Sequence, residues 1–236
     1  MNRAIVSSAT GDFHRRIAEI TAPNQSAYAR QLGASYFHVE PEPGLGPYWV
    51  KTRIAGLLAG QFDEVLWLDS DIIVRPDAPD LFRVAGGRFA AYAESDDACR
   101  FEVVQEFAER MAGLGIAKSK EEAWEHWDGL YFNMGLMVVP RSAAGVFSRP
   151  DPRITGIDGA EAVRFMHDQT WLNFRLKELH HPTRKLPMTY NLMKDPGAQL
   201  WDVRHEAAEF IHYAGLAGTM KDELLDLIRA DLAEWR

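Results

Sequence analysis

Val65-Leu66-Trp67-Leu68-Asp69-Ser70-Asp71-Ile72-Ile73-Val74 sets two carboxylates one residue apart inside an otherwise apolar run. Residues 65–68 are too few for a buried helix, so they read as a central strand covered on both faces and ending at Asp69. Upstream, Ala4-Ile5-Val6 reads as a buried strand that runs into a polar loop of Ser7, Ser8, Thr10 and Gly11. Pro23 and Asn24 open a helical segment over residues 25–31 that stops at Gly33, and residues 36–39 give the next strand. Beyond a loop broken by Pro41, Pro43, Gly44, Gly46 and Pro47, residues 49–58 carry apolar side chains at helical spacing. This alternation implies an α/β fold with parallel strands and functional groups at their carboxyl ends.

The second half is less regular. Residues 89–92 and 136–139 read as strands and 101–111 as a helix, while Ser119 with Glu122 forms a capping box for a short helix through residue 127. Residues 148–159, rich in Pro, Gly and Asp, read as a mobile loop. Helices follow over 168–179 and 219–235, the latter with Leu224, Ile228, Leu232 and Trp235 on one face.

At 236 residues and 47% hydrophobic content the chain can bury the core of one domain. Its 26 Lys+Arg against 34 Asp+Glu give a net charge of −8 with no basic stripe, which excludes a nucleic-acid partner. The single Cys99 permits no internal disulfide and fits the reducing cytoplasm. No apolar run reaches the roughly 18–20 residues of a membrane span, and none resembles a signal peptide.

Asp69 and Asp71 form either a solvated turn at a strand end or a site for metal or phosphate chemistry, since two ionised aspartates in an apolar run repel one another and need a compensating cation, for which hard oxygen ligands suit Mg²⁺ or Mn²⁺. Asn133 and Gly135 stand just before an apolar strand, where they form a turn or a ligand contact. Asp168 and Gln169 stand at a helix start, where Asp168 serves as an N-cap or as a functional acid. His212 follows a short apolar strand and precedes Gly215, which suits either a metal ligand or a core histidine. His180 and His181 sit at a helix C-terminus, where positive charge is favourable, and take a structural role.

The order of these motifs resembles the metal-dependent glycosyltransferases of GT-A fold, in particular the retaining glycogenin and lipooligosaccharide galactosyltransferase family. Tyr48-Trp49-Val50-Lys51 and Trp67 to Asp71 are also similar to retaining galactosyl- and xylosyltransferases acting on mannans and xyloglucan. The likeness runs over residues 4–215. It implies a Rossmann-like, mixed central sheet flanked by helices, in one domain with a nucleotide-binding half (1–75) and a sugar and acceptor half (76–236). It further implies a Mn²⁺ or Mg²⁺ cofactor and transfer of a hexose, by family default from a UDP sugar, to a hydroxyl of a glycan or small molecule with retention. Asp71 would be the chief metal ligand, Asp69 a ligand that also meets the donor ribose, and His212 the third ligand. Ser8, Thr10 and Asp12 would line the nucleotide pocket, with positive charge from Lys51 or Arg53. Asn133, Gly135 and Asp168 would serve the donor sugar, with Gln169 beneath its anomeric carbon and Gly215 and Lys221 near the diphosphate. Two positions depart from the family: Gly218 stands where it has Lys, with Lys221 three residues on, and Thr170 replaces a second acid.

Two other classes share parts of the pattern. Haloacid-dehalogenase-type phosphohydrolases also end a strand in Asp-x-Asp, although on their first strand and with a later Gly-Asp-x-x-x-Asp that this sequence lacks. A catalytically silent sugar-nucleotide or glycan-binding domain would keep the same residues without turnover.

Overall fold

In a computed structural model describing residues 1–94, 98–125, 127–157, 165–166, 168–194, 207–214 and 221–235, the first apolar run forms β1 (Arg3–Ser7). It lies between two parallel partners, β2 (Ser35–His38) and β3 (Glu64–Leu68). Strands buried on both faces require apolar residues at consecutive positions, and Ala4-Ile5-Val6 and Val65-Leu66-Trp67-Leu68 are all buried. Three further strands carry the chain onward: β4 (Ile72–Val74), β5 (Phe89–Ala93) and β6 (Phe132–Pro140). With β7 (Thr183–Leu186) the main sheet has the order β2-β1-β3-β6-β5-β7. The parallel pairing inferred from the first half holds for β1 to β3, but β6 runs antiparallel to both β3 and β5, so the sheet is mixed.

β6 starts four residues before the expected 136, for a tertiary reason. The Asn173 amide accepts from Phe132 N (2.7 Å) and donates to Phe132 O (2.8 Å), supplying the pairing that a neighbouring strand would otherwise give. β4 leaves the main sheet and joins β8 (Leu192–Met193) and β9 (Phe210–His212) in a small sheet of order β4-β9-β8, in which Ile72 faces His212.

The first helix differs most from the sequence reading. Helix α1 (Asp12–Gln31) begins at Asp12 and runs through Pro23, rather than starting after it. An interior proline costs about 3 kcal/mol, offset here by polar contacts that helical periodicity of apolar residues cannot reveal. Thr21 Oγ1 donates to Ser70 O (2.6 Å), and Asn24 both donates to Val74 O and accepts from Val74 N, each at 2.7 Å. Gln25 Nε2 donates to Asp69 O (3.1 Å) and Ile72 O (2.8 Å), while its Oε1 accepts from Tyr36 OH. One face of α1 thereby holds the main chain from Asp69 to Val74. Asn24→Ala should lower stability by about 1–3 kcal/mol, read as a lower urea midpoint at unchanged slope, because it leaves two backbone groups without partners.

The remaining helices are α2 (Arg53–Gly60), entered through the 3-10 segment Pro47–Thr52, and α3 (Leu81–Ala85), capped by Asp80. Then come α4 (Ala98–Gly113), α5 (Lys120–Glu125) and α6 (Pro152–Thr155), the last within the expected loop of 148–159. Ser119 Oγ accepts from Glu122 N (3.1 Å) and the Glu122 carboxylate from Lys118 N, close to the capping box expected for α5. Helices α7 (Asp168–Glu178) and α8 (Lys221–Glu234) follow. Apolar clusters fill both faces of the main sheet, and a third, with Ile17, Ile73, Ile211, Leu224 and Ile228, lies between α1, α8 and the small sheet. Among the described residues, no helix is long and apolar enough to cross a membrane.

Candidate metal centre

Asp69 lies at the carboxyl end of β3, where its N–H donates to Gly135 O (2.8 Å) and its carbonyl accepts from Ile72 N (3.2 Å). This tight turn sends Asp71 into the small sheet beside β9. Tyr213 N donates to Asp71 O (3.0 Å), and His212 Nε2 comes within 3.4 Å of Asp71 Oδ1. One potential ligand atom from each of Asp69, Asp71 and His212 lies within 4.8 Å of the others.

Charge and burial at this cluster oppose one another. Burial pushes the Asp71 carboxyl up, but the His212 imidazole, with His14 and a backbone hydrogen bond, outweighs it and holds the group below the usual carboxylate range. Burial likewise works against a proton on His212, and Asp71 overcomes it, leaving the imidazole above its ordinary value. Two carboxylates and an imidazole nitrogen converging on one point form a donor set that fits a divalent cation of the Mn²⁺ or Mg²⁺ kind.

Lys51, from the 3-10 segment before α2, joins this cluster to α7. Its Nζ is 3.1 Å from Asp168 Oδ2 and 3.6 Å from Asp69 Oδ1, and it lies 5.8 Å from the centre of the Trp67 ring. Trp67 Nε1 donates to the same Asp69 oxygen at 2.6 Å. Burial favours loss of the Lys51 proton, yet the two carboxylates outweigh it and raise the ammonium above its ordinary pKa. At Asp168 burial dominates, lifting the carboxyl above its usual range in spite of Lys51. Ser8, Thr10, Lys51, Asp69, Asp71 and Asp168 line one cleft of about 280 Å³.

Behind the cleft, Asn133 Nδ2 donates to Glu94 Oε1 (2.6 Å) and its Oδ1 accepts from Gly135 N (2.9 Å). Gln169 Oε1 accepts from Met134 N (3.0 Å), which ties the start of α7 to β6. Thr170, where the family that the sequence resembles has an acid, is buried and donates to Phe165 O (2.6 Å). Gly135 lies directly beneath the His212 ring: a Cβ there would sit 2.2 Å from His212 Cε1. Gly135→Ala should therefore displace the imidazole and weaken Mn²⁺ binding by about tenfold or more, the effect usual for disturbing what supports a metal ligand. Unchanged Mn²⁺ affinity by calorimetry would show that His212 does not depend on this contact.

Some expected residues lie elsewhere. Asp12 is exposed at the start of α1 and pairs with Arg15 (3.3 Å). Arg53 lines a separate cleft with Glu42, Leu57 and Gln61. Gly215 and Gly218 lie outside the described residues, and Lys221 is the first residue of α8. His180 and His181 follow the C-terminal end of α7, as expected. Sequence reading missed the buried Glu94 and Asn191, the latter with Oδ1 3.0 Å from His212 Nδ1. Glu94 had a usable signal, since it follows the apolar strand β5 as Asp69 follows β3. Asn191 had none, because its partner is 21 residues away.

No family model and no curated protein matches this sequence. Solved structures do. A glycosyltransferase involved in the glycosylation of the major capsid of PBCV-1 is 14% identical, with 98% of this chain and 100% of that one covered at a TM-score of 0.58. The glycosyltransferase GlyE of Streptococcus pneumoniae is 16% identical at a TM-score of 0.54, with 100% of this chain covered but only 63% of GlyE. Mouse xyloside xylosyltransferase 1 is 10% identical at a TM-score of 0.50, with 92% and 99% covered. Identities this low establish architecture rather than activity, and the architecture is not that of a phosphohydrolase with its aspartates on a first strand. The chain has the GT-A fold that these glycosyltransferases share.

Proposed function

We propose that the protein is a metal-dependent glycosyltransferase that moves a hexose from a nucleoside-diphosphate sugar to an acceptor hydroxyl with retention of anomeric configuration. The observation that carries this reading is the convergence of Asp69, Asp71 and His212 beside a polar cleft on a GT-A fold. When bound, a divalent cation supplies Lewis-acid stabilisation of the charge that develops on the leaving diphosphate. Ser8 and Thr10, which line the cleft, contact the nucleotide; the buried Ser8 hydroxyl has no hydrogen-bond partner among the described residues. Lys51 contributes positive charge toward the diphosphate. Asp168, which lines the cleft, binds a sugar hydroxyl, whereas Asn133 and Gln169, which do not line it, take their roles toward the sugar and its anomeric carbon from the resemblance alone. A UDP-linked hexose is the donor we favour, by resemblance to the family, and the single Cys99 supports a cytoplasmic location.

Thermal-shift measurements with nucleoside-diphosphate sugars, with and without Mn²⁺, test the donor class. A donor at 100-fold its dissociation constant stabilises by about 2.7 kcal/mol. The expected result is a shift that requires metal, and no shift with any such sugar under either condition overturns the reading. NMR of the product linkage tests stereochemistry separately, and an inverted centre overturns the role given to Gln169.

A further inference from the structure

A histidine that ligates a metal through Nε2 must carry its proton on Nδ1, and a neighbouring hydrogen-bond partner selects that tautomer. The His212 ring has a distinct partner at each nitrogen. Nε2 faces Asp71 Oδ1 at 3.4 Å, and Nδ1 faces Asn191 Oδ1 at 3.0 Å. Asn191 is buried and held by its main chain, while its Nδ2 has no partner among the described residues, so the Oδ1 contact to His212 is the one that orients the carboxamide. It is only 1% exposed, lies between the 3-10 segment Met188–Tyr190 and β8, and its N–H donates to Met188 O at 2.9 Å. One strand further on, Lys194 N donates to His212 O at 2.8 Å, so the same stretch holds the histidine by main chain and by side chain.

A carboxamide oxygen only accepts, so Asn191 Oδ1 at 3.0 Å requires a proton on Nδ1; the Asp71 carboxylate competes for that proton at Nε2 from the longer distance of 3.4 Å, and with the proton on Nδ1 the Nε2 lone pair is left for a cation between the carboxylates. Gly135 leaves room for this arrangement, since a Cβ there would sit 2.2 Å from His212 Cε1, the ring atom between the two nitrogens.

We propose that Asn191 is a positioning residue that sets the Nδ1–H tautomer of His212 and so presents Nε2 as a metal ligand. The ligand half of this inference rests on the metal-centre reading above, whereas the tautomer half concerns the metal-free protein alone.

Ring ¹⁵N chemical shifts of His212, measured in the metal-free protein at a pH where the imidazole is neutral, test the tautomer directly. The expected result is Nδ1–H in the wild type, retained in Asn191→Asp, which keeps an acceptor, and lost in Asn191→Leu. In parallel, calorimetry should show Mn²⁺ affinity 10–100-fold weaker for Asn191→Leu and within a few-fold of wild type for Asn191→Asp. A wild-type ring with its proton on Nε2 overturns the proposal without recourse to any variant, which covers the case in which Asn191→Leu does not fold. Unchanged tautomer and unchanged affinity in a folded Asn191→Leu overturn it as well. An Asn191-dependent Nδ1–H tautomer in a wild type that binds no Mn²⁺ overturns the metal-centre reading and the ligand role with it, while supporting control of the tautomer.

Discussion

Asp71→Asn should weaken Mn²⁺ binding by at least about 100-fold and abolish metal-dependent binding of a nucleoside diphosphate. Loss of a residue that merely supports a metal ligand costs 10–100-fold, and Asp71 is proposed as a ligand itself. Its surroundings make it the sharper of the two aspartates to test. Asp69 shares its Oδ1 with Trp67 and Lys51, so replacing it also disturbs an ion pair. The Asp71 main chain is fixed by Tyr213 N and its carboxylate is directed at His212, and Asn retains that shape while removing the charge. Calorimetry with and without chelator reads the result. Equal nucleotide affinity in wild type and variant, independent of metal, would place any cation elsewhere.

Lys51→Met should be the most destabilising single change near the cleft, at about 3–5 kcal/mol, the usual cost of removing one partner from a buried ion pair. Against a typical domain stability of about 5–15 kcal/mol this is a large fraction. The reason is Asp168: both side chains of the pair are about nine-tenths buried, so without Lys51 the carboxylate has lost its closest cation. An acid whose folded pKa is raised destabilises the fold when ionised, and that penalty disappears as pH falls below its unfolded value of about 3.9. The difference between wild type and Lys51→Met should therefore be largest near neutral pH and shrink toward pH 4. Adding Asp168→Asn to Lys51→Met should restore much of the loss, since the double variant buries neither charge. Urea midpoints of the wild type and the three variants check this. A Lys51→Met protein as stable as wild type at neutral pH would mean that Asp168 is not held as an anion.

Several features were decided by the sequence. Consecutive apolar residues in β1 and β3 can only be strands buried on both faces, and the carboxylates that interrupt the second run mark where buried chain meets a polar cleft. Asp69, Asp71 and Asp168 were named from local pattern and resemblance, because each stands beside a strong apolar or capping signal, whereas Lys51 was named from the resemblance alone, as an alternative to Arg53. Tertiary structure decided the rest. Whether His212 was a core histidine or part of the centre depended on the pairing of β4 with β9, which brings together residues 141 apart in the chain, 212 − 71. The length of α1 depended on Thr21, Asn24 and Gln25 finding main-chain partners between Asp69 and Val74, contacts that leave no apolar periodicity. Gly135 reads as a turn or a donor contact, and its closeness to the His212 ring is visible only in the fold, as is Asn191, which lies just before β8 beside β9. Hydrophobic burial repeats along the chain and can be read from it, whereas a hydrogen bond between distant side chains leaves no local trace and is fixed only by the assembled fold.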